Sequence, residues 1–124
     1  MGQEPSGVVK PRYLRVSYTG EPEARRVLGA IRAAVKSAED TKSRGIILDL
    51  TQTDHSLSLE DRIRAGAAVA ALQHETSWPI PIAILVPGDV IDPEHVGTKA
   101  AARRGGQLGA FTDPDEARAW LRTQ

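Results

Sequence analysis

Apolar and polar positions alternate from Arg12 to Tyr18, placing Leu14, Val16 and Tyr18 on one side and Tyr13, Arg15 and Ser17 on the other. A period of two predicts a β-strand with one packed face and one partly wet face, as expected near the edge of a sheet. The period then changes. Ala24, Val27, Leu28, Ile31, Ala34, Val35 and Ala38 recur at helical spacing and form one apolar stripe. Arg25, Arg26, Arg32, Lys36 and Glu39 occupy the remaining faces, Pro22 suits the first helical position, and Gly45 closes the connection.

Ile46 to Leu50 is a short run of branched residues, the pattern of a strand covered on both faces. Ser58 followed by Asp61 has the form of a capping box and opens a second helix. Leu59, Ile63, Ala67, Ala70 and Ala71 form its narrower, alanine-rich stripe, expected to lie close against the sheet. After Trp78-Pro79, Ile80 to Val86 is apolar on both faces and is predicted to be a central strand, with Pro81 tolerated near its start. Asp92-Pro93 signals a helix running to about Arg104 and stopped by Gly105-Gly106. Gln107 to Phe111 is a last short strand. Asp113-Pro114-Asp115-Glu116 then caps a final helix whose buried side is Ala117, Trp120 and Leu121.

Strands alternating with helices imply an α/β fold, a layered sandwich of one domain. The expected sheet has about four to five strands, mostly parallel, with about four helices as crossovers. Residues 1–11 carry two prolines and two glycines and read as a flexible arm, leaving residues 12–124 as the domain. At 124 residues the chain has the size of one domain and can bury a core without staples.

Charge and composition narrow the function classes. Sixteen basic and sixteen acidic side chains cancel, so no net field favours a nucleic-acid partner. The chain contains no cysteine, which excludes disulfides, thiolate metal sites and a thiol nucleophile. The opening MGQEPSG is polar, and the apolar run from Ile80 to Val86 is too short to span a bilayer. Gly2 and Ser6 stand at myristoylation spacing, but Pro5 and the lack of a basic cluster argue against that modification. The expectation is a cytoplasmic protein that is not integral to a membrane.

Stretches in both halves of the chain, taken in order, resemble one known family. Arg15 to Glu21 ahead of a helix is similar to the opening strand and turn of STAS domains, and Ile46 to Thr51 to their second main strand. The C-terminal match is more specific: Ala101-Ala102-Arg103-Arg104-Gly105, Phe111-Thr112-Asp113, Glu116-Ala117 and Trp120-Leu121 resemble the ending of SpoIIAA-like proteins. The similarity, to the SpoIIAA-like branch of the STAS domain superfamily, spans roughly residues 12–122. It implies no cofactor and a regulatory role through binding another protein. In the anti-sigma factor antagonist members, a serine in an Asp-Ser-Ser-Gly motif at the start of the second helix is phosphorylated. Ser58 falls at the first serine of that motif, although Leu57, Leu59 and Glu60 around it depart from the pattern. Other relatives of the fold bind lipids or small anions, which leaves a small apolar or anionic ligand as the alternative.

The residues themselves support a bland reading beside each functional one. Ser58 is explained as a helix cap worth about 1 kcal/mol, and a phosphosite there is the weaker reading. Thr51 to Leu57 follows the end of a strand, where open α/β sheets bind their ligands, yet it also reads as a solvated loop. The candidate partner surface is therefore Thr51, Asp54, His55, Ser56, Ser58, Asp61 and Arg62. His55, His74 and His95 each neighbour a carboxylate but lack metal-ligand spacing. A Gly-x-Ser-x-Gly elbow and a Walker lysine are both missing from the sequence, and Gly105-Gly106 precedes a strand instead of opening a helix. The expected function is a non-catalytic interaction module.

Overall fold

A computed structural model describes residues 13–54, 57–75, 80–87 and 96–124. The elements are β1 (Tyr13–Gly20), α1 (Ala24–Thr41), β2 (Gly45–Thr53), α2 (Leu59–His74), β3 (Ile82–Leu85), α3 (Val96–Arg103), β4 (Leu108–Phe111) and α4 (Pro114–Arg122). The four strands pair in sequence order and all run parallel, so the expected layered α/β sandwich is observed. β1 lies at one border, and β3 is central between β2 and β4. The proposed N-terminal arm, Trp78-Pro79 and the Asp92-Pro93 helix start lie outside the described residues.

The period of two separates two cores. Leu14, Val16 and Tyr18 of β1 point with Ile46, Leu48, Leu50 and Ile82 to the face covered by α1 and α2. Tyr13, Ile47, Ala83, Leu85 and Phe111 point to the opposite face, where Ala117, Trp120 and Leu121 of α4 meet them. Ala117 and Leu121 are buried as expected, and Trp120 is half-buried against Phe111, with ring centroids 5.6 Å apart. The α1 stripe lands on the first core through Val27, Ile31, Ala34, Val35 and Ala38.

Several boundaries differ from the sequence pattern. Pro22 lies one residue ahead of the N-cap Glu23 and does not enter α1. That helix ends at Lys42, which adopts left-handed φ of 57° and returns its N–H to Ala38 and Glu39 carbonyls, and the connection closes at Gly45 as expected. Gly45 opens β2, where α4 comes so close that an added Cβ would lie 2.9 Å from Leu121 Cδ2. β2 also runs past Leu50 to Thr53, because Gln52 and Thr53 pair with the end of β1.

The largest correction concerns α2. Its buried residues are Gly66, Val69, Ala70, Leu72 and Gln73, whereas Leu59 and Ile63 are 56% and 45% exposed and Ala71 is exposed. Small residues on every side of this helix leave no dominant stripe, so periodicity does not choose its inward face. Gln73 helps choose it. Its Nε2 donates to the carbonyls of Ile80 at 2.7 Å and Gln107 at 2.9 Å, and its Oε1 accepts from Gln107 N–H at 2.8 Å. One carboxamide thus joins α2 to the segments entering β3 and β4.

Candidate functional site

The parallel ladder between β1 and β2 is in step from Tyr13↔Gly45 to Ser17↔Asp49, and then jumps to Thr19↔Gln52. Tyr18 of β1 thus faces both Leu50 and Thr51 of β2, one residue against two, a β-bulge. Such an insertion breaks the ladder locally, and the displaced donor needs another acceptor. The N–H of Thr51 finds Asp49 Oδ1 at 2.8 Å, and its hydroxyl donates to the same oxygen at 2.5 Å. The other oxygen, Oδ2, takes Arg15 Nη2 at 3.0 Å across from β1.

Asp49 is 9% exposed, and an unpaired carboxylate at such depth would be costly. Burial pushes its carboxyl up, but the Thr51 hydroxyl, the Thr51 N–H and the Arg15 guanidinium more than offset this and hold it below its ordinary value. Since Arg15 is half-exposed, solvent screens its share. The sign follows from a folded value depressed below the unfolded one. The contribution is complete above the unfolded value, about 3.9, and is lost as pH falls through the lower folded value. Urea unfolding of the wild type and Asp49→Asn is therefore expected to show a stability gap that is constant above about pH 5 and narrows below about pH 4. A gap of equal size at all pH values would contradict this reading.

Beyond the bulge, Thr53 Oγ1 donates to Leu50 O at 2.8 Å, and Asp54 N–H donates to Gly20 O at 2.9 Å. Thr51 is half-buried and Asp54 exposed, so the end of β2 emerges at the surface. His55 and Ser56 lie outside the described residues. Ser58 is the N-cap of α2, its hydroxyl accepting from Asp61 N–H at 3.2 Å. Arg62 Nε donates to Leu57 O at 3.0 Å, which makes this side chain a brace for the turn as well as a surface charge. Glu60 and Arg64 pair at 3.5 Å in solvent.

Thr51 and Asp54 thus stand at the end of β2, and Ser58, Asp61 and Arg62 at the start of α2 next to the exposed Leu59 and Ile63. Sequence reasoning missed the Arg15–Asp49 pair and the exposure of Leu59 and Ile63. The first carried a readable signal: an aspartate inside a strand covered on both faces requires a partner, and Arg15 occupies an outward position of the neighbouring strand. The second carried none, because Leu59 and Ile63 continue the spacing of an inward stripe.

Of the three histidines, His74 is described, and its Nε2 lies 2.7 Å from Arg104 O, beyond the end of α3. His95 and His55 lie outside the described residues. Among the described residues, no three side chains of metal-ligating type gather into a cluster, and no helix is long and apolar enough to cross a membrane. Comparison of the chain with protein-family models, with curated proteins and with solved structures returns no match.

Proposed function

We infer that this chain is a non-catalytic, STAS-like regulatory module of bacterial type that recognises another protein through the end of β2 and the first two turns of α2. The observation that carries the reading is the exposure of Leu59 and Ile63, one helical turn apart on α2, beside Asp61 and Arg62 of the same helix. Protein interfaces combine an apolar centre with a polar rim, and this surface offers both at small scale. Binding needs no chemical step: occupancy of the complex is itself the output. The capping role of Ser58 and the acidic Glu60 and Asp61 in the same first turn disfavour a phosphate there, because like charges oppose it.

The test is a variant carrying Asp54→Ala, Leu59→Ser and Ile63→Ser. These side chains are exposed, so each change is expected to alter stability by no more than about 0.5 kcal/mol. Capture of specific proteins from native lysate is expected to fall about tenfold or more against wild-type bait, the effect of losing about 1.4 kcal/mol. Undiminished capture by the triple variant would remove the surface from consideration. A rise in melting temperature with lipids or nucleotides in a thermal-shift screen would favour a small-ligand carrier instead.

A further inference from the structure

We propose that Asp49 is a positioning residue for this surface: by gripping Thr51 and Arg15 together it holds the bulge that decides where Asp54 leaves the sheet. The proposal rests on the interaction-surface reading for its functional meaning, but its geometry belongs to the free chain.

The argument begins with register. Side chains on a strand alternate between faces, so sliding one strand by a single residue exchanges every inward side chain for an outward one. Ile46 to Asp49 of β2 follow β1 and β3 in step, which sets the first core. Without the extra residue at Leu50–Thr51, Thr51 would stand opposite Thr19, and everything after it would change face. With the bulge, Gln52 is opposite Thr19 and Thr53 is opposite Gly20. Asp54 then reaches the Gly20 carbonyl, at a glycine whose φ of 92° suits the turn closing β1.

What stabilises the bulged register is local to Asp49. One carboxylate oxygen collects both donors of Thr51, the residue displaced from the ladder. The other oxygen ties that arrangement to the edge strand through Arg15. A bulge held by backbone alone would slide more freely, because the in-step ladder offers competing pairings. The Asp49 carboxylate collects both Thr51 donors only in the bulged form, where Thr51 is turned back onto it. Asp49 lies five residues before Asp54, so its influence on that residue travels through the strand.

Amide hydrogen exchange, measured by NMR on the 15N-labelled full chain, tests the grip without any partner. In Asp49→Ala, exchange at Thr51 and Asp54 is expected to accelerate about tenfold more than at Ile84, a central-strand reference for global opening. Asp49→Asn keeps an acceptor for the Thr51 N–H, so it is expected to restore protection at Thr51 more than at Asp54. Arg15→Gln, which perturbs only the half-exposed side of the grip, is expected to accelerate Asp54 about threefold or more relative to Ile84. Uniform acceleration at all sites in Asp49→Ala would mean a general stability role and would overturn the proposal. Should that variant not fold, Arg15→Gln decides alone, and a change at Asp54 within about twofold of Ile84 overturns it. Because these measurements need no binding partner, a failed capture experiment leaves their outcome standing, and the reverse holds as well.

Discussion

Replacing Gln73 by leucine is expected to lower the stability of the domain by about 3 kcal/mol or more, although the volume and the apolar character of the site are preserved or improved. The loss comes from the partners left behind. Ile80 O and Gln107 N–H would lose this carboxamide as their partner, whereas Gln107 O keeps the Ile82 N–H at 3.1 Å. Each buried backbone group that loses its partner costs about 1–3 kcal/mol, set against the modest gain from a leucine side chain. At about 4 °C per kcal/mol for a domain of this size, the melting temperature should fall by about 12 °C. Gln73→Glu is a sharper control. Its carboxylate can still accept from Gln107 N–H but presents an oxygen to two carbonyl oxygens, so it too should be strongly destabilising near neutral pH. Thermal and urea melts of both variants check this. A loss below about 1 kcal/mol in Gln73→Leu would mean that water reaches these groups.

The same corner of the fold supplies the second large effect. A Cβ on Gly106 would lie 2.8 Å from Ala70 Cβ, 3.0 Å from Ala70 Cα and 3.0 Å from Gln73 Oε1. The turn into β4 therefore fits against α2 only without a side chain, and the alanine face of α2 is filled there. Gly106→Ala should cost about 2–3 kcal/mol, the range for forcing a methyl into a packed site. Pairing it with Ala70→Gly separates clash from other causes. That second change alone costs about 1 kcal/mol in helix propensity. In the double variant it removes one of the colliding methyls, so the combined loss should fall short of the sum by at least about 1 kcal/mol. Strict additivity would show that the close approach of Gly106 to α2 is not what limits stability.

Both predictions concern a junction that hydrophobic periodicity does not reveal. Strands β1 and β2, helix α1 and the central placement of β3 follow from residue pattern: alternation at Leu14, Val16 and Tyr18, the continuous stripe from Val27 to Ala38, and unbroken apolar runs. Each of these patterns has one strongly apolar side, so local periodicity and burial point the same way. In α2 they part company. Alanine at positions 65, 67, 68, 70 and 71 makes every side of the helix similarly acceptable inside, and the polar Gln73 is among its most buried residues.

The candidate surface divides along the same line. That the end of β2 would approach the start of α2, with Ser58 as a cap, was legible because both are neighbours in sequence and because capping is a local contact. The bulge was not legible. It depends on Asp49 meeting Arg15, thirty-four residues away in the chain, and on a mismatch between two strands that neither strand shows alone.

Order of elements, parallel pairing through helical crossovers and the two-sided burial of the central strands were thus determined by the amino-acid sequence read locally, because each rests on the period of apolar positions over a few turns or strand residues. Tertiary structure alone decided which side of α2 faces inward, where the ladder slips by one residue, and that Leu59 and Ile63 stand in solvent. These outcomes are choices among local arrangements of similar energy, and hydrogen bonds between distant residues, Gln73 to Gln107 and Arg15 to Asp49, tip the balance.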